Sequence, residues 1–333
     1  MYFSTDGNVS PCWLLLGSTE RWDGTKTIKE IWEGDVFKRY RDNLSNGVFE
    51  GSCNVCKKNI DNGVWSLSKA YEELPVSKYP SLLELELSNQ CNLECIMCEG
   101  RLSSGIRKNR DKLPPLPMLY DSNFVKQLEE FVPHLTELRI NGGEPFAQSI
   151  VYDICMMVSE INPNLRITIA TNGTVYNKQV QRILNKCNIH LNISIDSLQK
   201  NTYESIRING VFEDLMVNFH KFKEYCHTNT RTLSVMVNPM RNNWKEMGDF
   251  VRFCDEHNVD LWYNTIHHPQ HLTLWGLDKN TLEEVYNTLR AEVLQMTEQK
   301  VSERNLHKFR HLVNNQIKTW AEKKTINIPI ISV

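Results

Sequence analysis

From residue 82 onward, short apolar runs alternate with stretches whose apolar positions recur every three or four residues. Residues 82–87, 137–140, 166–170, 189–195, 232–237 and 259–265 read as six strands, each a brief β-compatible run. Between them, Phe124, Leu128, Phe131 and Val132 share one helical face, and Ile150, Ile154 and Val158 repeat every four residues. Val180, Ile183 and Leu184 form a further stripe, then Leu215, Phe219 and Phe222, then Phe250, Val251 and Cys254. Strands alternating with helices imply right-handed βαβ crossovers and a parallel sheet. Periodicity leaves open whether that sheet is flat or curled into a partial barrel. In both cases ligands gather at the C-terminal ends of the strands.

After residue 272 the alternation stops. Residues 281–296 and 302–323 are expected as two charged amphipathic helices packed on the outside. The first 60 residues differ in composition. Asp6-Gly7 is a turn signal, and a helix is expected from Thr27 through Ile31, Phe37 and Tyr40, with Cys53 and Cys56 after it. The expected organisation is an extension at 1–60, a connector at 61–80, an α/β region at 81–272 and a helical region at 273–333. There is no internal repeat and no low-complexity segment.

At 333 residues, the chain suits one α/β barrel with an appendage. Its 38 basic and 40 acidic side chains nearly cancel, which argues against a nucleic-acid partner. No run of eighteen apolar residues is present, so no membrane partner is expected. The first residues show no basic leader before an apolar core, and the expected location is cytoplasmic. Six of the ten cysteines fall in two groups, Cys12, Cys53 and Cys56, then Cys91, Cys95 and Cys98. In such a setting grouped cysteines favour metal or redox chemistry over structural disulfides. The scattered Cys155, Cys187, Cys226 and Cys254 read as buried small hydrophobes.

Cys91, Cys95 and Cys98 are separated by three and then two residues, so a short loop can wrap their thiolates around one centre. Thiolates suit zinc or iron–sulfur clusters. A tetrahedral zinc site wants a fourth Cys or His, and none follows within twenty residues. Three ligands therefore suggest a cubane with one iron left open, with a structural zinc site as the alternative.

This C-x3-C-x2-C loop directly after the first main strand resembles the radical S-adenosylmethionine (SAM) superfamily. Met97 stands where that family commonly has an aromatic residue, and can still pack against adenine. Asn141-Gly142-Gly143-Glu144-Pro145 resembles the family's GGEP motif, and Thr171-Asn172-Gly173 matches another of its turns. Ile193-Ser194-Ile195-Asp196 ends the fourth strand, with Arg207 thirteen residues beyond Ser194. The resemblance implies a partial (β/α)6 barrel and a [4Fe–4S] cluster on Cys91, Cys95 and Cys98 whose open iron takes SAM. Gly142, Gly143 and Glu144 would approach the SAM amino group. Ser194 and Arg207 would contact its carboxylate and ribose, since a planar guanidinium fork suits a carboxylate. Asn172 belongs to the matched turn, and Asn238, just past the fifth strand, is a candidate adenine or ribose contact. No catalytic acid, base or hydrogen donor is identified.

The run from Asp6 to Trp13, with Ile28, Ile31 and Trp32, then Arg41, Cys53 and Cys56, resembles the SPASM/twitch extension. Such extensions normally follow the barrel, whereas this one precedes it, and a cysteine usual before the Asp-Gly turn has no counterpart. The resemblance implies an auxiliary iron–sulfur cluster on Cys12, Cys53 and Cys56, with zinc as the alternative. It further implies an electron donor such as flavodoxin or ferredoxin. Relatives with these extensions modify peptides or transform small alcohols, sugars and aminocyclitols. With no separate peptide-recognition domain visible, the leading expectation is hydrogen abstraction from a compact small molecule. A peptide-modifying maturase is the alternative, and a non-catalytic metal-binding protein a third. The basic segment Arg101, Arg107, Lys108 and Arg110 could grip an anion or be solvated. His267, His268 and His271 are expected in a loop capping the barrel mouth.

Overall fold

The computed structural model describes residues 1–15, 20–61 and 78–325, and residues 62–77 of the expected connector lie outside that set. The chain divides into two compact units. The first comprises Met1–Asn92, Glu99–Ala170 and Val175–His190, and the second Leu93–Cys98, Thr171–Thr174 and Leu191–Val333.

The first unit contains β1 (Tyr2–Phe3), β2 (Asn8–Ser10), β3 (Glu20–Arg21), β4 (Leu82–Leu85), β5 (Glu137–Ile140) and β6 (Arg166–Thr171). They lie in the order β3-β2-β1-β4-β5-β6. Residues 4–7 turn the chain between β1 and its antiparallel partner β2, and Gly7 takes the left-handed φ of +84° that this reversal needs. β1 also runs parallel to β4, with Tyr2 opposite Glu84 and Phe3 opposite Leu85. β4, β5 and β6 are parallel, with Leu82 opposite Glu137 and Glu137 opposite Arg166. Helices Ser122–Leu128, Ser149–Ile161 and Lys178–Lys186 alternate with these strands as their apolar stripes require.

The helix expected from Thr27 is two helices, Ile28–Glu33 and Asp35–Ser45. Thr27 and Glu30 form a reciprocal capping box at the start, and Gly34, in extended conformation, breaks the chain between them. Phe124 anchors the core beneath. Its ring meets Phe3 and Trp22 edge-on at 5.2 Å each and Tyr120 at 4.8 Å.

The second unit carries β7 (Asn188–Ser194, from Leu191 onward), β8 (Leu233–Val237) and β9 (Asp260–Tyr263), all parallel. Leu191 faces Leu233, and Ser234 faces Asp260. Helices Phe212–Thr228 and Met247–Glu256 bury Phe219, Phe222 and Phe250 against the sheet. Two short helices, Ser104–Asn109 in the first unit and Lys200–Ile206 in the second, carry too few apolar positions for periodicity to reveal.

Helix Lys279–Glu298 buries Leu282, Val285, Leu289, Val293 and Met296, the expected stripe. The second expected C-terminal helix is regular only at Glu303–His311 and Lys318–Thr325, with a π-helical segment at Leu312–Ile317 between them. Buried Asn305 occupies the open edge of β9. Its Oδ1 accepts from Leu261 N at 2.9 Å, and its Nδ2 donates to Val259 O at 3.0 Å and Asp255 Oδ1 at 2.7 Å. Otherwise unpaired strand groups are thereby satisfied. Among the described residues, no helix is long and apolar enough to cross a membrane.

Candidate functional site

The cysteine loop follows β4. Cys95 is buried, Cys91 and Cys98 are half-buried, and none of the three is in a disulfide. In the first unit the diglycine turn lies against the start of this loop. Gly143 has φ +40°, and a Cβ there would collide with Gln90 O and come within 2.9 Å of Ser88 O. Glu144 N donates to Gln90 O at 2.8 Å. Gly142, at φ +76°, has no room for a Cβ because Glu86 Cγ occupies it. Only glycines allow this approach. The Glu144 side chain is fully buried, and its Oε1 accepts from Phe146 N at 3.0 Å, capping the short turn Pro145–Ala147.

In the second unit, Met97 packs with Ile96 against Ile206, Met240, Ile266 and Leu272. Asn172 folds its turn back on itself, with Oδ1 accepting from Thr174 N at 2.9 Å, while Gly173 adopts φ +75°. Ser194 ends β7 opposite Met236. Two residues on, Asp196 is fully buried. Its Oδ1 accepts from Asn238 N at 2.8 Å and Asn238 Nδ2 at 3.0 Å, and its backbone carbonyl accepts from Asn243 Nδ2 at 2.6 Å. Oδ2 pairs with Arg207 Nη2 at 2.7 Å. The other end of that fork, Nη1, lies 3.9 Å from Cys95 Sγ.

Burial disfavours the charge on Arg207, but Asp196, Cys95 and Tyr203 outweigh it and the guanidinium is held more firmly protonated than usual. Burial pushes the Cys95 thiol up, and Arg207 pulls against that shift. Arg207 Nε is buried with no hydrogen-bond partner among the described residues. A buried donor left unpaired is costly, so it marks a place for an acceptor.

Sequence reasoning singled out Arg207 and Asn238 but assigned nothing to the group joining them, Asp196, nor to Asn243 and Glu246. Glu246 receives Ser197 Oγ at 2.8 Å and Leu198 N at 2.7 Å. The available signal was position: Asp196 directly follows a strand whose C-terminal end faces ligands in this architecture. Two members of the basic segment, Arg101 and Arg107, are already engaged, while Lys108 and Arg110 are exposed. Arg101 Nη1 donates to buried Glu86 at 2.6 Å, and Tyr2 Oη to the same carboxylate at 2.8 Å. Arg107 Nε donates to Pro114 O.

His267, His268 and His271 are exposed, and among the described residues no three His, Cys, Asp or Glu side chains converge on a single metal ion. Cys53 and Cys56 stand one turn apart on helix Cys53–Asp61, which puts them on a common face. Burial pushes the Cys53 thiol up, with smaller contributions from Cys12, Cys56 and Glu50, but Cys12, Cys53 and Cys56 do not converge as a three-ligand set. The four scattered cysteines are all buried.

A parallel α/β fold, thiolates on the loop after its first main strand and a diglycine turn pressed on that loop define a cofactor-binding α/β protein. Residues 85–254, just over half of the chain, match the Radical SAM superfamily, and the chain belongs to it. That superfamily uses a [4Fe–4S] cluster and SAM. In donor chemistry the residues suit these groups, although the loop thiols do not converge as a three-ligand set: soft thiols for iron, glycines in the first unit and, in the second, a buried guanidinium nitrogen without an acceptor. Similar curated proteins include GTP 3′,8-cyclase of Pseudomonas putida, 24% identical over 183 residues, covering 54% of this chain and 52% of that protein. The mitochondrial GTP 3′,8-cyclase of Arabidopsis thaliana is 26% identical over 182 residues, covering 54% and 44%. The chain thus spans about half the length of the curated relatives it matches. Native anSMEcpe with bound AdoMet shares the fold, at TM-score 0.50 and 14% identity over 67% of this chain and 62% of that one.

Proposed function

We propose that this chain is a radical SAM enzyme whose cluster is held by Cys91, Cys95 and Cys98 and whose SAM is held by Glu144, Ser194 and Arg207. Cluster and SAM together supply a 5′-deoxyadenosyl radical for hydrogen abstraction. The observation that carries this reading is the glycine turn: Gly142 and Gly143 take left-handed φ values so that Glu144 N can bond Gln90 O, one residue before Cys91. A structural zinc loop has no need of such a cradle. Gly143 brings backbone to the loop, Arg207 offers its buried, unpaired Nε as a fixed donor to a carboxylate, and Asn238 is oriented by Asp196. The substrate is a compact small molecule; the named function of the curated relatives, cyclisation of a nucleotide, supports that size class. Cys12, Cys53 and Cys56 hold an auxiliary cluster in this reading, supported by the one-turn spacing that puts Cys53 and Cys56 on a common helix face.

The test is anaerobic reconstitution of the full chain, followed by SAM and dithionite. Formation of 5′-deoxyadenosine is expected. A cluster-loaded sample that forms none sinks the reading, and Cys95→Ala should abolish the product. Two cubanes predict about eight irons per chain; about four irons with zinc bound retires the auxiliary cluster.

A further inference from the structure

Residues 94–96 are stitched to residues 206–208 by backbone bonds. Glu94 N donates to Ile208 O at 3.0 Å, and Ile96 N donates to Ile206 O at 2.9 Å. This register sets Cys95 directly opposite Arg207, and Arg207 Nη1 reaches Cys95 Sγ at 3.9 Å. The far side of the fork is fixed by Asp196 at 2.7 Å, and Asp196 is itself clamped by Asn238 and Asn243. Both members of the charged pair are buried. Arg207 therefore has a fixed position against the sulfur that does not depend on a bound carboxylate.

The geometry points to Arg207 as the residue that sets the reduction potential of the loop cluster, through a charged hydrogen bond to the Cys95 sulfur. This rests on the assignment of Cys95 as a cluster ligand. A cationic donor at a ligand sulfur withdraws electron density and favours the reduced, more negative cluster; hydrogen bonds to sulfur are an established lever on such potentials. Because Asp196 holds the fork, the donor stays in place before SAM arrives. Reduction is then eased in the SAM-free protein as well, a separate task from gripping the SAM carboxylate.

The experiment is a potentiometric titration of the full reconstituted chain without SAM, following the paramagnetic signal of the reduced cluster by EPR. The wave missing from Cys95→Ala identifies the loop cluster. Arg207→Gln should shift its reduction equilibrium on the order of tenfold toward the oxidised form, about 59 mV for a one-electron couple. Arg207→Lys keeps the charge but loses the rigid fork, and should shift less in the same direction. A fully loaded Arg207→Gln protein with the wild-type midpoint overturns the inference. If Arg207→Gln loads no cluster, the Arg207→Lys midpoint decides, and an unmoved value overturns it. If neither variant loads, Arg207 builds the site rather than tuning it, and the inference also falls. Wild-type protein that makes 5′-deoxyadenosine beside an unmoved variant midpoint rejects this inference alone. Loaded wild-type protein that makes none rejects the proposed function instead.

Discussion

The two cysteine groups are held in different ways. Cys95 sits in a loop whose neighbours are bonded by backbone to residues 206–208, with a buried ion pair beside its sulfur. Cys53 and Cys56 instead owe their common face to one helical turn, and both are half-buried. The first arrangement depends on contacts distant in sequence and on desolvated charge; the second is largely local. Desolvated pairs strongly disfavour loss of one partner, whereas a helix face tolerates substitution with little cost. The loop should therefore behave as a rigid, interdependent centre, and the amino-terminal group as a separable one.

The largest test is a pair of complementary replacements. Cys95→Ala should remove 5′-deoxyadenosine formation and about four irons, leaving iron on the amino-terminal group. Cys53→Ala with Cys56→Ala should do the reverse for iron, with the loop cluster's EPR signal intact. Loss of both clusters in either variant breaks the proposed independence. Next, Gly143→Ala forces a side chain into left-handed backbone against the Gln90 and Ser88 carbonyls. It should cost roughly 2–4 kcal/mol in denaturant unfolding and weaken SAM binding. Gly47, at φ +69° with open space where a Cβ would stand, provides the contrast: Gly47→Ala should cost only about 1 kcal/mol. The smallest effect on chemistry is expected from Asn305→Ala, remote from both groups along the chain. It leaves Leu261 N without its acceptor and should lower stability by about 1–3 kcal/mol while leaving both iron loads unchanged.

Much of the α/β region was legible along the chain, because strands such as Arg166–Thr171 and helices such as Ser149–Ile161 carry their period in consecutive residues. The spacing of Cys91, Cys95 and Cys98, and the glycines at 142 and 143, were equally visible, since ligand type and backbone freedom belong to single residues. Less visible was the breaking effect of Gly34, where capping on one side competes with helix continuation on the other. The strands at Tyr2–Phe3 and Glu20–Arg21 are two residues each and carry no period. The π-helical stretch Leu312–Ile317 keeps its apolar residues buried, so its pattern reads as ordinary helix.

By itself, then, the sequence determined the parallel α/β architecture, the thiolate loop and the identity of Glu144, Ser194 and Arg207 as candidate anchors. Tertiary structure alone decided what those side chains face. Arg207 and Cys95 are 112 residues apart, and Asn238 lies 42 residues from the carboxylate that orients it. Periodicity says which face of an element is buried. It is silent on which buried charge meets which sulfur, because that pairing depends on crossovers bringing strand ends together and on the cost of leaving either group unpaired.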